Sequence, residues 1–193
     1  MAVHHFEPDH YHIAIGPWEP VLNIQPGDRV VTSTVDAGGR DRNREQKSPG
    51  GNPQTGPFFV EGAEPGDTLV VTLDRLTPNR EYGYTASVVA ANVVDPHYVR
   101  QLPTGQTAEW KVDTTAWTAT LVSPQTALGS LVLPLDPMIG CFGVAPPRHQ
   151  AISCATSAEH GGNMDYRGFR QGVTVYFPVF VPGALFHIGD GHA

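Results

Sequence analysis

The sequence is poor in positive charge, in cysteine and in long apolar runs. Twelve Lys and Arg stand against nineteen Asp and Glu, for a net charge of −7. No basic cluster stands out, so nucleic acid and an anionic membrane surface are excluded as expected partners. The acidic balance mainly promotes solubility. The two cysteines, Cys141 and Cys154, have no CxxC spacing and are too few for a disulfide framework. They read as two small buried thiols in a reducing compartment, with at most one structural bridge. The most apolar stretch, Val173 to Phe186, is shorter than the roughly 20 residues of a membrane helix. It is also broken by Pro178, Pro182 and Gly183. The N-terminus is polar and His-rich, without an apolar signal core, and a soluble, cytoplasmic protein is expected. Several catalytic signatures are missing too: a GxSxG elbow, a P-loop, a GxGxxG turn after a strand and an HExxH helix.

What is present is 40% hydrophobic residues with only 16% charged, which excludes a disordered chain. Glycine (21) and proline (18) leave little room for long helices. The reading is mainly β: a single sandwich- or barrel-like domain over 1–193, with long functional loops and few short helices. Pro26-Gly27-Asp28 precedes the β-branched run Arg29 to Val35, and Pro65-Gly66-Asp67 precedes Thr68 to Leu73. Proline then glycine fits the centre of a type II turn, and each following run reads as a strand. Further strands are expected at Thr118 to Val122, Ser130 to Leu133 and Val173 to Val181, the last on an edge or with a bulge at Pro178. Thr85 to Val94 suits either a strand or a short helix. Ala37 to Phe58 and Cys154 to Arg170 read as long loops, which are usually functional or mobile.

The last residues carry the densest chemistry. His187, Asp190 and His192 lie within six positions, among glycines. Asp190 and His192, two apart, would share one face of a strand. Neutral imidazole and carboxylate are usual zinc ligands, and three of them leave a position open for water. A solvated polar terminus is the alternative. Asp36 ends the first strong strand beside Gly38-Gly39, either in a cleft or as an ordinary turn residue. Asn163 and Asp165 follow two glycines that let the backbone approach a ligand, and the same residues also make common turns. Glu61 could contribute to a site. The His4-His5 and His10, His12 pairs have metal-like spacing but suit a surface or packing role, and Trp18 suits packing.

Four stretches together carry a family resemblance. They are Gly56-Pro57 through Val60-Glu61-Gly62-Ala63-Glu64-Pro65-Gly66-Asp67; Pro137-Met138-Ile139-Gly140 with Gly143-Val144-Ala145-Pro146; Gly161-Gly162-Asn163-Met164-Asp165; and Pro178-Val179 through Gly183-Ala184-Leu185-Phe186 to Gly189-Asp190-Gly191-His192-Ala193. In this order and approximate spacing they resemble the acetamidase/formamidase family. The resemblance implies a mainly β fold and hydrolysis of short linear amides, such as formamide and acetamide, to carboxylate and ammonia. The chemistry of these residues is compatible with a divalent metal, zinc first, that polarises the amide carbonyl and activates water. Asp36, Asp190 and His192, then His187, are the expected ligands. Asn163, Asp165 and Glu61 are the expected catalytic residues, the first two for substrate orientation or proton transfer to the leaving amine. In the family the Gly-Asp-x-His-Ala motif runs on into a Gln-Gly-Asp-Gly-Glu segment, whereas here the sequence stops at Ala193. The expectation is therefore the N-terminal portion of a longer protein, with a second copy of the chain among its expected partners. The competing readings are a catalytically inactive β-module that binds a small ligand or partner, and a different metal hydrolase on a similar scaffold.

Overall fold

The computed structural model describes residues 1–86 and 93–193, so part of the ambiguous stretch Thr85 to Val94 lies outside the described residues. In chain order the strands are β1 (Val3–Phe6), β2 (Ala14–Ile15), β3 (Leu22–Ile24), β4 (Arg29–Thr32), β5 (Gln54–Val60), β6 (Thr68–Thr72), β7 (Tyr82–Ala86) and β8 (Thr107–Asp113). They continue with β9 (Thr118–Ser123), β10 (Val132–Pro134), β11 (Met138–Val144), β12 (Ile152–Ser153), β13 (Ser157–Ala158), β14 (Gly161–Asn163), β15 (Thr174–Pro178) and β16 (Phe186–His192). Short 3-10 turns at Val99–Gln101 and Pro147–His149 are the helical pieces named among the described elements, so the mainly β expectation holds.

The chain forms two compact units, and no linker composition marks their boundaries. One unit is Met1–Asn79 with Asp136–His192, and the other is Arg80–Leu135. The second unit is an antiparallel sheet in the order β10-β9-β8-β7. The first is built on a six-stranded sheet in the order β13-β14-β11-β16-β5-β3. Smaller pairs, β1–β4, β2–β12 and β6–β15, complete it.

Both Pro-Gly-Asp turns form as expected. Gly27 has φ 88° and Gly66 has φ 100°, conformations that favour glycine. In each turn the aspartate amide donates to the residue three back, Asp28 to Gln25 and Asp67 to Glu64, both at 3.0 Å. Each carboxylate then accepts that same residue's amide, from Gln25 at 3.1 Å and from Glu64 at 2.9 Å. Asp28 also accepts the Ala2 amide at 2.6 Å and lies 2.9 Å from Nε2 of His4, which ties β1 to the turn before β4. These contacts, the Ala2 amide first, hold the Asp28 carboxyl at about 2. They give His4 a structural role.

Two expected loops end early. Ala37 to Phe58 gives way to β5 at Gln54, because β5 pairs with β16 on one side and β3 on the other. Cys154 to Arg170 contains β13 and β14, and its glycines are a packing requirement. A Cβ on Gly161 would stand 2.5 Å from the Phe142 carbonyl oxygen, and one on Gly143 would stand 2.2 Å from the His160 carbonyl oxygen. At this point β11 and β14 approach too closely for side chains. The run Val173 to Val181 forms β15 only as far as Pro178. Pro178 ends a strand that pairs with β6 alone, as its missing amide hydrogen favours.

The core of the first unit gathers around Phe142, which is fully buried. Its ring meets Phe169 at 4.9 Å and Phe177 at 5.4 Å, both edge-to-face, the arrangement that aromatic quadrupoles favour. This core fixes β11 against β16, the two strands that frame the site.

Candidate functional site

The site is organised by a residue with no side chain. Along β11 and β16 the partners run Met138↔His192, Ile139↔Gly191 and Cys141↔Gly189. That register sets Gly140 opposite Asp190, and His192 follows two residues later on β16. Met164 and Asp165 donate their backbone amides to the Gly140 carbonyl at 2.9 and 3.1 Å, which brings the Asp165 carboxylate over the same spot. A Cβ on Gly140 would stand 2.6 Å from each of Asp165 Oδ1, Asp190 Oδ2 and His192 Nε2. The three donor atoms therefore surround one small volume that only glycine leaves open.

His192 Nε2 lies 3.5 Å from Asp165 Oδ1 and 3.5 Å from Asp190 Oδ2. Ligands about 2.0–2.2 Å from a tetrahedral zinc stand roughly 3.4 Å apart. Two carboxylates and one imidazole also form a fitting donor set for a divalent cation with one open position. Among the described residues this is the group of three ligand-type side chains whose donor atoms all lie within 4.8 Å of one another. The Asp190 side chain is 9% exposed and forms the floor, while those of Asp165 (51%) and His192 (42%) form a rim open to solvent. The Asp190 carboxylate, and then that of Asp165, raise the pKa of His192, although burial opposes them. Asp165 (φ 44°) and Asp190 (φ 55°) both hold left-handed backbone. Such conformations cost about 1 kcal/mol or more each and cluster at functional sites.

Of the expected ligands, the structure brings Asp190 and His192 together and adds Asp165, which the sequence suggested only for orientation or proton transfer. Asn163 lies beside the trio, with its Nδ2 donating to Asp165 Oδ2 at 2.9 Å. Asp36 is buried in the loop that follows β4, outside the trio. One of its carboxylate oxygens accepts the Arg40 amide at 2.9 Å. Two residues earlier, the Thr34 hydroxyl lies 3.5 Å from where a Cβ on Gly191 would stand, so this loop starts against β16.

His187 is also outside the trio. It is fully buried, its Nε2 lies 3.0 Å from the Gly16 carbonyl, and burial lowers its pKa to about 3. Its ring meets His12 edge-on at 6.0 Å, and His12 stacks on Trp18 at 5.2 Å. These contacts give His12 and Trp18 the expected packing role, and they draw His187 into it. Glu61 follows the last residue of β5 and accepts a hydrogen bond from Gln25 Nε2. The opposite end of that strand, Gln54, pairs with Gly189 next to Asp190. Seven residues of extended chain put Glu61 roughly 20 Å from that end, so the strand's length removes it from the site.

Cys141 and Cys154 are free, and both are buried. Their mutual contact, then burial, pushes the Cys141 thiol far above the ordinary range, so it stays protonated. Two residues of the site are not singled out by their local sequence. Gly140 was legible only as part of a motif, and Asn52 only as an asparagine between Gly51 and Pro53 in a long loop. Among the described residues no helix is long and apolar enough to cross a membrane.

Comparison with known proteins agrees with this architecture. The chain is 30% identical to the acetamidase of Bacillus halodurans, with a TM-score of 0.73, covering 98% of this chain and 62% of that one. It is also 30% identical to the acetamidase of Yersinia enterocolitica, with a TM-score of 0.75, covering 99% of this chain and 60% of that one. A Schizosaccharomyces pombe protein named "Putative formamidase" is 26% identical over 231 residues, covering 91% of this chain and 56% of that protein. The chain thus spans 56% to 62% of the length of these relatives. The model of the Acetamidase/Formamidase family matches residues 8–151 and 148–193. Nearly the whole chain is covered by that match, and it belongs to the acetamidase/formamidase family.

Proposed function

We propose that the protein hydrolyses short linear amides, such as formamide and acetamide, to the carboxylate and ammonia, with Asp165, Asp190 and His192 holding a divalent cation above Gly140. The observation that carries this reading is the convergence of three donor atoms on the point 2.6 Å away where the Gly140 Cβ would stand, in a family named for amide cleavage. Zinc is the first choice of cation, because imidazole and carboxylate suit it. An amide is a poor electrophile, and a bound divalent cation supplies both carbonyl polarisation and a lowered pKa for water. In the balanced reaction the C–N bond breaks, a C–O bond forms from water, and the proton released ends on the leaving nitrogen.

The chain's residues divide the work. Asp190 supplies a fixed anion from the buried floor. His192 loses its proton to become a neutral donor, so cation affinity rises with pH through its raised pKa. Asp165 contributes the second anion from the rim, and Asn163 keeps that carboxylate turned. The exposed sides of Asp165 and His192 leave the approach for a small amide. A reducing, cytoplasmic setting suits the two free thiols.

The test is ammonia release from formamide, acetamide and longer amides. The intact protein is assayed after chelation and again after zinc is restored. Release in the zinc-loaded state, lost on stripping, is expected. Undiminished release after stripping would contradict the metal reading. Zinc binding without release from any amide would instead mark a binding module.

A further inference from the structure

We propose that Asn52, in the loop before β5, is a positioning residue that sets the Asp165 carboxylate through Asn163. The inference rests on the metal reading above and extends it to a residue outside the donor trio. Asn52 Nδ2 donates to the Cys154 carbonyl at 3.2 Å and to Asn163 Oδ1 at 2.9 Å. Asn163 Nδ2 donates in turn to Asp165 Oδ2 at 2.9 Å. The other Asp165 oxygen faces His192 Nε2 at 3.5 Å.

The direction of this chain is forced at its start. A backbone carbonyl can only accept, so the Cys154 oxygen requires the NH2 end of Asn52, not its oxygen. Both protons of that NH2 are then committed, one to Cys154 and one to Asn163. Asn163 must therefore turn its oxygen toward Asn52 and its own NH2 toward Asp165. That arrangement gives an ionised carboxylate a charge-assisted donor on the oxygen pointing away from the cation position. A carboxamide turned the other way would present an oxygen to Asp165 and repel it.

The backbone around Asn52 is arranged for the task. Asn52 has φ 57°, a left-handed conformation that asparagine tolerates better than most residues. The amides of Gly51 and Asn52 both donate to the Ala37 carbonyl, at 2.9 and 3.2 Å. The Asn52 carbonyl accepts from Gln54 Nε2 at 2.8 Å. The residue is thus held at both ends, and its side chain crosses to β14 with little freedom. Groups behind the ligands of a metal site typically contribute 10–100-fold in affinity.

The test uses Asn52→Gly, which removes the side chain and keeps the left-handed backbone available. Calorimetric titration of the intact protein with zinc is expected to show about a 10-fold weaker dissociation constant for this variant. Asn163→Ala should weaken binding at least as much. The double variant should lose nothing further, because Asn52 acts only through Asn163. A merely structural loop residue would give losses that add. An Asn52→Gly protein that binds zinc within twofold of wild type, or additive losses, would overturn the inference.

A second readout needs no metal, so failure of zinc binding in the wild-type protein would sink the metal reading and leave the relay open to judgement. By NMR, the Asn163 side-chain amide protons should be dispersed and slow to exchange in the wild-type protein. In Asn52→Gly they should move to ordinary solvent-exposed positions. Unchanged signals would overturn the relay.

Discussion

Gly140→Ala is expected to abolish zinc binding while leaving the fold standing. The new methyl carbon would stand 2.6 Å from Asp165 Oδ1, Asp190 Oδ2 and His192 Nε2 at once. That is far inside van der Waals contact, so all three donors must retreat. Asp165 and His192 can swing toward solvent, whereas the Asp190 side chain, at 9% exposure, has little room. A metal site tolerates deviations of only about 0.2 Å in its bond lengths, so the displaced trio no longer closes on one cation. Gly140 is not among the glycines with positive φ, so alanine suits its backbone. Zinc affinity should fall by more than about 100-fold, beyond the range typical for groups behind the ligands. Ammonia release should disappear with it, and the melting temperature should move by only a few degrees, as for a change of about 1 kcal/mol. Calorimetric titration beside a thermal melt checks this. Wild-type zinc affinity in the alanine variant would refute the placement of the site.

Asp190→Asn carries the second large effect. Asparagine keeps the shape of aspartate and tolerates the φ of 55° at this position. Only the charge is lost, and it is lost at the buried floor. Ammonia release is expected to drop about 100-fold or more, at least the upper end of what outer groups contribute. The variant has a second signature in the metal-free protein. Asp190 is the leading cause of the raised His192 pKa, so in Asp190→Asn the imidazole should titrate closer to its ordinary value near 6.5.

The stability consequence has a definite sign. A histidine raised in the folded state stabilises fully below its unfolded pKa near 6.5. That contribution fades as pH rises through the raised value. In wild type, stability should therefore decline somewhat above pH 6.5, and Asp190→Asn should flatten that decline. NMR titration of His192 and denaturant melts across this window check both statements. An unchanged His192 titration would show that Asp190 does not face it in solution.

Parts of the fold that follow local chemistry were legible in the sequence. The two Pro-Gly-Asp turns need only a glycine at positive φ and an aspartate that bonds back to the residue three before it. The strands after them follow from β-branched runs. Asp190 and His192 were legible as a pair because a strand repeats every two residues. What stayed hidden depends on close approach between distant segments. Glycine inside a strand reads as loop, so β14 and the start of β5 were missed. Their glycines are there because β14 approaches β11, and β5 approaches β16, too closely for side chains. Asp165 joins the donors only because Gly140 accepts two amides from its loop, and spacing along the chain does not record that bond. Glu61 and His187 looked suitable by residue type. Strand length carries one away, and the other lies buried against the Gly16 carbonyl and edge-on to His12.

In the proposed site, Asp165, Asp190 and His192 close on one cation over Gly140. Anomalous scattering at the zinc edge, from crystals of the intact protein equilibrated with zinc, tests it most directly. A single strong peak is expected, bounded by Asp165 Oδ1, Asp190 Oδ2 and His192 Nε2 and about 2.0–2.2 Å from each. No peak at that position, or a dominant peak at His12 and His187 instead, would contradict it.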